Sequence, residues 1–265
     1  MPKPPLRLQT TTLWEYPSQH YEEGKHGSKD YRGATPSWVV WNLLQRYTRP
    51  KDLVVDPMAG SGTTLDVARE LGRRALGYDV APVRDDVFRA DARKLPLEDE
   101  KAAFVFLDPP YGDNLRYSGR PDCIGELAAE GPDYFPAMDA VFAEVERILR
   151  PGRHLAVYCC DVWKRKAFVP IGARLSELLS RRFEPVDHVA VVRHNRTLKQ
   201  GNYHKAAEET NFFLRGFNHL LIFRKPERAA ETAGSKRKPT RRSRKDETAR
   251  GPRTTGRRRP KRKGS

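Results

Sequence analysis

Two short runs of the sequence combine a carboxylate with residues that fix the backbone. One is Asp56-Pro57-Met58-Ala59-Gly60-Ser61-Gly62-Thr63-Thr64 and the other is Asp108-Pro109-Pro110-Tyr111-Gly112. The first follows the apolar triplet Leu53-Val54-Val55 and precedes a helical pattern. A strand, a Gly-x-Gly turn and then a helix place a tight turn at the carboxyl edge of a parallel sheet, where open α/β folds bind ligands. Gly60 and Gly62 lack a Cβ that would hold a ligand away from the backbone.

Similar turns serve phosphate loops and dinucleotide folds, so the neighbouring residues decide between them. No Lys follows Gly62, which removes the phosphate loop's cation, and Leu65 occupies the place of the dinucleotide fingerprint's third glycine. Asp79 ends the next predicted strand, where a carboxylate can accept hydrogen bonds from both hydroxyls of a ribose. What remains is an adenosine-containing ligand without a bound pyrophosphate, and S-adenosylmethionine fits. Asp91 and Ala92 follow a presumed further strand and precede Leu95-Pro96, and a carboxylate at Asp91 could accept an adenine amino proton. The plainer reading of Asp91 is a turn residue.

The second run suits a different task. An exocyclic amine on a planar base is a poor nucleophile because its lone pair is delocalised into the ring. The Asp108 carboxylate and a backbone carbonyl can accept the two amino protons and free that lone pair for attack on a methyl donor. Pro109 and Pro110 stiffen the turn and hold the carbonyl outward, and Tyr111 is placed to stack on the base. Much of the rate then comes from holding the two reacting atoms close and collinear.

The elements that must position these residues alternate in type. Strands are expected at 53–55, 75–78, 103–107, 155–159, 189–192 and 220–223. Helices are expected after Thr35-Pro36, at 65–71, at 134–149 and at 175–181. In 134–149 the residues Phe135, Met138, Val141, Phe142, Val145, Ile148 and Leu149 recur at helical spacing, and Pro151-Gly152 ends the run. This rhythm predicts an α/β fold, a mostly parallel sheet with helices on both faces.

Residues 193–217 break the rhythm and carry Arg193, Arg196, Lys199 and Lys205, candidates for nucleic-acid contact. The last residues, 227–265, hold almost no large apolar side chain and most of the chain's formal net charge of +16. Such a tail cannot offset its ordering entropy by burial, so it is expected to be disordered. Its Lys and Arg runs would release counterions from a polyanion. The organisation expected is therefore an N-terminal extension at 1–34, a catalytic domain at 35–226 and a basic tail at 227–265.

Cys123, Cys159 and Cys160 have no spacing that suggests a metal site or a disulfide framework, and no metal is expected. No run approaches the roughly 20 apolar residues that span a bilayer, and the N-terminus shows no hydrophobic signal core. The expected location is the cytoplasm, in association with the nucleoid. Oligomeric state is not legible.

On these two motifs the chain resembles the bacterial DNA amino-methyltransferases that make N6-methyladenine or N4-methylcytosine. Asp56 to Thr64 looks like that family's cofactor motif, and Asp108 to Tyr111 looks like its catalytic tetrapeptide. The resemblance implies a Rossmann-like methyltransferase fold with a seven-stranded sheet whose last strand is antiparallel. It also implies S-adenosylmethionine as cofactor, DNA as substrate and a further cofactor-contacting element around Thr35. Asp at position 108 favours adenine N6 over cytosine N4. Here the cofactor motif precedes the catalytic one, unlike many members, and no large insertion offers a target-recognition domain. The loops 112–132 and 193–217 would have to read the target.

Two other readings stand beside this one. An RNA base amino-methyltransferase would share Asp108 to Gly112 and Asp91-Ala92-Arg93. A non-catalytic nucleic-acid-binding protein could keep the scaffold alone.

Overall fold

The computed structural model describes residues 5–21, 26–28, 31, 33–115, 117–194 and 196–228. The expected tail therefore lies almost wholly outside the described residues. Residues 1–228 form one compact unit.

In chain order the elements are β1 (Leu13–Trp14), α1 (Ser37–Tyr47), β2 (Leu53–Asp56), α2 (Thr63–Glu70), β3 (Arg74–Asp79), β4 (Val87–Arg89) and β5 (Ala102–Leu107). They continue with α3 (Tyr134–Ile148), β6 (Leu149–Cys159), β7 (Val162–Lys164), β8 (Ala167–Val169), α4 (Ile171–Ser180), β9 (Glu184–Val192), α5 (Gly201–Glu209) and β10 (Phe217–Arg224). The main sheet has the order β1-β9-β10-β6-β5-β2-β3-β4. The block β4, β3, β2, β5, β6 is parallel throughout. β10 runs antiparallel to both β6 and β9. This is the expected Rossmann-like arrangement with its reversed last strand, enlarged at one edge by β1, which pairs in parallel with β9 and makes the sheet eight-stranded.

Chain direction explains where a ligand can enter. From β2 the chain winds outward through β3 and β4, then returns to the other side of β2 to lay down β5 and β6. The switch point lies between β2 and β5, and at a switch point the helices depart to opposite faces and leave a crevice at the strands' carboxyl ends. Asp56 ends β2 and Asp108 follows β5. The two motifs thus border one crevice because of strand order.

Two apolar layers hold the sheet. In β5 the residues alternate: Phe104 and Phe106 pack with Trp38, Val39, Leu43 and Leu44 of α1 and Val67 of α2, whereas Val105 and Leu107 pack under α3 and α4. Both faces of β5 are buried, so the strand reads as a continuous apolar run. Each such fully buried large side chain contributes about 1.5–3 kcal/mol through removal from water.

Several boundaries differ from the sequence reading. Residues 5–21, expected as part of an extension, supply Trp14, Tyr16 and Tyr21 to the α1 face of the core. Pro151-Gly152 lies inside a strand: the chain passes directly from α3 into β6, whose pairing with β5 jumps from Ala102↔Leu149 to Phe104↔His154, so the two residues sit at an irregularity within the strand. The stretch 193–217 contains the short helix α5, and residues between β6 and α4 form the separate hairpin β7–β8.

Candidate active site

Two adjoining cavities open at the crevice. The larger has a volume of about 410 Å³ and is lined on one side by Pro57, Met58, Asp79, Asp91 and Ala92 and on the other by Asp108 and Pro110. The smaller, about 70 Å³, is lined by Thr35, Asp56, Met58, Ala59, Gly60, Ser61, Thr63, Thr64, Asp108, Pro109 and Tyr111. Met58 and Asp108 border both, so the two sequence motifs share one site.

The glycine turn is built from its own backbone demands. Gly62 caps α2 with φ of 79° and Gly60 has φ of 45°, a left-handed region that L-residues enter at a cost. A Cβ on Gly60 would come 2.7 Å from the Tyr31 hydroxyl, and one on Gly62 would come 2.7 Å from the Arg84 guanidinium. Gly62 itself lines neither cavity. Its role is to start α2 beside Arg84, which is fixed by Asp66 and Asp86, and the expected direct approach of a ligand is confined to Gly60.

Asp79 ties the turn to β3. Its Oδ2 accepts the Gly60 amide proton at 3.1 Å and its Oδ1 accepts that of Ala81 at 2.8 Å. Each oxygen keeps a further lone pair, and Asp79 lines the larger cavity. Asp91 is more occupied than expected: the Arg93 amide and guanidinium hold both of its oxygens. The turn reading and the cavity-lining position therefore both apply to it.

Asp108 is the most constrained group. Thr35 donates its hydroxyl to Oδ2 at 2.5 Å, and Tyr111 donates its hydroxyl to Oδ1 at 2.9 Å. Burial nevertheless pushes the Asp108 carboxyl up to about 7, against the lowering effect of those two donors. Asp56 is also pushed to about 7, by burial first and then by Asp108 and Asp79, with Thr64 and the Met58 amide opposing. Thr35, expected to contact a cofactor, serves the second carboxylate directly. Tyr111, expected to stack on a base, here spends its hydroxyl on Asp108 and packs against the core.

The proline pair is anchored from below. Tyr134, at the start of α3, donates to the Pro110 carbonyl at 2.7 Å. Pro109 lines the smaller cavity beside Asp108.

Among the cavity residues that escaped the sequence reading, Tyr31, Leu115 and Tyr117 line both cavities. No periodic signal marks them, because they sit on irregular segments whose positions only the folded chain defines. The basic candidates are placed less uniformly. Arg193 donates to the Cys160 thiol at 2.6 Å, so it braces the β6 exit. Lys199 and Lys205 are exposed, with Glu209 3.7 Å from Lys205, and the Arg196 side chain lies outside what is described.

The lining chemistry discriminates among ligands. Among the described residues, the larger cavity is lined by Asp79, Asp91, Asp108 and Asp122 and by no Lys or Arg. Arg93 and Arg120 partner Asp91 and Asp122 at the rim. The carboxylates that remain unpaired there favour a sulfonium cation. Apolar Val80, Ala81, Val83 and Ile124 suit an adenine, and Asp79 suits a ribose diol. The residues present thus fit S-adenosylmethionine, and a cavity of this size falls within the range of roughly 300–1,000 Å³ usual for small-ligand sites.

Comparison with known proteins agrees over the cofactor half of the site. Residues 4–86 match the family described as DNA methylase. The type II methyltransferase M.MjaII of Methanocaldococcus jannaschii is 37% identical over 83 residues, covering 31% of this chain and 15% of that protein. M1.MboII of Moraxella bovis is 34% identical over 71 residues, 26% of this chain and 27% of its own length. M2.DpnII of Streptococcus pneumoniae is 31% identical over 77 residues, covering 29% and 26%. The matches span no more than 27% of these relatives' lengths. The resemblance read from the first motif is thus found across residues 4–86, and Asp108 lies beyond that segment.

Proposed function

We propose that this chain, akin to the DNA methylases through its amino-terminal third, methylates an exocyclic amine of a DNA base, with adenine N6 favoured and cytosine N4 the alternative. The observation that carries the proposal is the sharing of Asp108 by two adjoining cavities, one suited to an adenosine-bearing cation and also bordered by Pro110, the other lined by Asp108, Pro109 and Tyr111.

S-adenosylmethionine, when bound, supplies an electrophilic methyl group on a sulfonium. Asp79 holds the ribose hydroxyls, the Gly60 turn admits the methionine end, and Asp91 with Ala92 borders the adenine. Asp108 and the Pro109 carbonyl accept the two protons of the target amine, which draws its lone pair out of the ring. Thr35 and Tyr111 keep the Asp108 carboxylate from rotating away. Once the nitrogen carries the methyl group it must shed a proton. A carboxyl pushed to about 7 can take it and return it to solvent near neutral pH. With Tyr111 turned onto Asp108, Tyr31 and Tyr117 are the rings placed to pack against the base. A base within a duplex must first leave the stack, at a cost of a few kcal/mol.

On the sequence pattern, Arg196, Lys199 and Lys205 are offered as phosphate contacts, and the basic tail as a sequence-independent anchor. Such an enzyme would act in the cytoplasm, at the nucleoid. Among the described residues no helix is long and apolar enough to cross a membrane. A non-catalytic scaffold has no need of a buried carboxylate held by two hydroxyls and raised to about 7.

The test is Asp108→Ala, assayed for methyl transfer from labelled cofactor to duplex DNA and to total RNA. Transfer to DNA by the wild type, its loss in the variant and cofactor affinity within about threefold of wild type are expected. Equal activity in the variant would overturn the assignment of Asp108, and transfer to RNA alone would overturn the substrate.

A further inference from the structure

We infer that the β7–β8 hairpin and the segment 212–217 together form a landing surface for the DNA strand that carries the target base. This inference rests on the nucleic-acid reading above and adds to the 193–217 stretch a hairpin that no sequence feature indicated. Both pieces emerge at the crevice edge of the sheet. β6 is parallel to β5 and leaves the sheet at Cys159, whereas β10 is antiparallel and enters it at Phe217, with His219 opposite Cys159. The excursions that precede β10 and follow β6 therefore sit on the same edge as Asp56, Asp79 and Asp108. Lys164 of the hairpin is ion-paired with Asp113, just beyond the Asp108 loop, which fixes the hairpin beside the site.

The surface is aromatic where a core would not explain it. Trp163 of the hairpin stacks on Phe212 with ring centroids 5.5 Å apart and planes 8° from parallel. The Arg215 guanidinium lies 5.2 Å from the centre of the Phe168 ring. Phe213 is 83% exposed, and Trp163, Phe168 and Phe217 are each more than a third exposed. A contiguous apolar patch of this kind marks an interaction surface.

Charge selects the partner. The hairpin turns on Arg165 and Lys166, with φ of 51° and 63°. Two-residue hairpin turns with both central residues at positive φ ordinarily carry Asn-Gly, because those residues tolerate that region. Here two long cations occupy it instead, which places positive charge at the tip beside the aromatic rings. Glu130 lies 3.5 Å from Arg165, yet that side chain remains 74% exposed. Interleaved rings and cations suit a strand whose bases can stack while its phosphates are neutralised.

The experiment uses the full chain, saturating cofactor, and fluorescein-labelled DNA duplex and single-stranded RNA of one sequence. The double variant Arg165→Asn/Lys166→Gly keeps the turn in its preferred residue types, so the hairpin should fold at least as well. It should flatten the slope of log affinity against log salt by about 1 to 2, the value for one or two lost phosphate contacts. Trp163→Ala should weaken DNA binding about tenfold, as expected for loss of one stacked base, with cofactor affinity unchanged. Wild-type affinity and salt slope in both variants would overturn the inference, as would a loss confined to RNA. If the wild type methylates DNA and the variants match it, the landing surface alone falls. If the wild type transfers no methyl group to DNA but the variants still bind it more weakly, the surface stands and the methylation reading falls.

Discussion

Replacing Thr35 with Val tests how the Asp108 carboxylate is tuned. The Thr35 hydroxyl donates to Asp108 Oδ2 at 2.5 Å, and this donor is the largest influence opposing burial. A hydrogen bond to an ionised group is worth about 1.5–3 kcal/mol, and one pH unit corresponds to about 1.4 kcal/mol. Removing the donor therefore raises the carboxyl from about 7 by roughly one to two units. Val preserves the shape, so the change acts on ionisation more than on packing. If the ionised carboxylate accepts the amine protons, activity rises with pH through the Asp108 titration. The variant should then lose roughly eightfold in kcat/KM at pH 6.5 for a one-unit shift and approach wild type above about pH 9.5. The assay is methyl transfer to duplex DNA from labelled cofactor across pH 5.5–10. A limb that stays in place, or a uniform loss at every pH, would refute the reasoning and leave Thr35 a packing residue.

Two further outcomes follow from the same site. Asp56 is raised from 3.8 to about 7 by burial, so the folded state holds its proton more tightly than the unfolded state. Its contribution to stability is fully present below about pH 4 and is lost as pH rises through about 7. Asp56→Asn, which mimics the protonated form, should therefore gain on wild type by a few kcal/mol between about pH 4 and pH 7 in urea unfolding, and parallel pH dependences would contradict this. Gly60→Ala places a Cβ 2.7 Å from the Tyr31 hydroxyl at a residue with φ of 45°. The strain of about 1–2 kcal/mol should appear as lost stability in urea unfolding, and displacement of Tyr31, which lines both cavities, should lower cofactor affinity in calorimetry. Unchanged affinity would show that the turn does not meet the ligand.

The legible parts of the fold were those where one interaction dominates. β5 and α3 announce themselves because burial on both faces, or on one stripe, writes a continuous or 3.6-residue apolar pattern. The two motifs were legible because a Gly-x-Gly turn and a proline-stiffened turn each restrict residue type at adjacent positions. Less legible were elements defined by distant partners. β9 begins at Glu184 with exposed residues, and only pairing with β10 extends it beyond the apolar stretch. β1 exists because Leu13 and Trp14 meet Ala190 and Val191 across most of the chain. The same holds in the site. Thr35 was visible as a candidate, but its bond to Asp108 arises from the packing of α1 against β5, and the Tyr111 hydroxyl finds Asp108 through the shape of a loop. Tyr31 and Tyr117 enter from irregular segments with no periodicity to betray them.

The most direct test of the central claim is mass spectrometry of nucleosides from DNA and RNA treated with the wild-type chain and methyl-deuterated S-adenosylmethionine. The account predicts a deuterated methyl group on N6-methyladenine, or on N4-methylcytosine, released from DNA and absent with Asp108→Ala. Label found only in RNA, on a ring carbon, or in no nucleoside at all would contradict it.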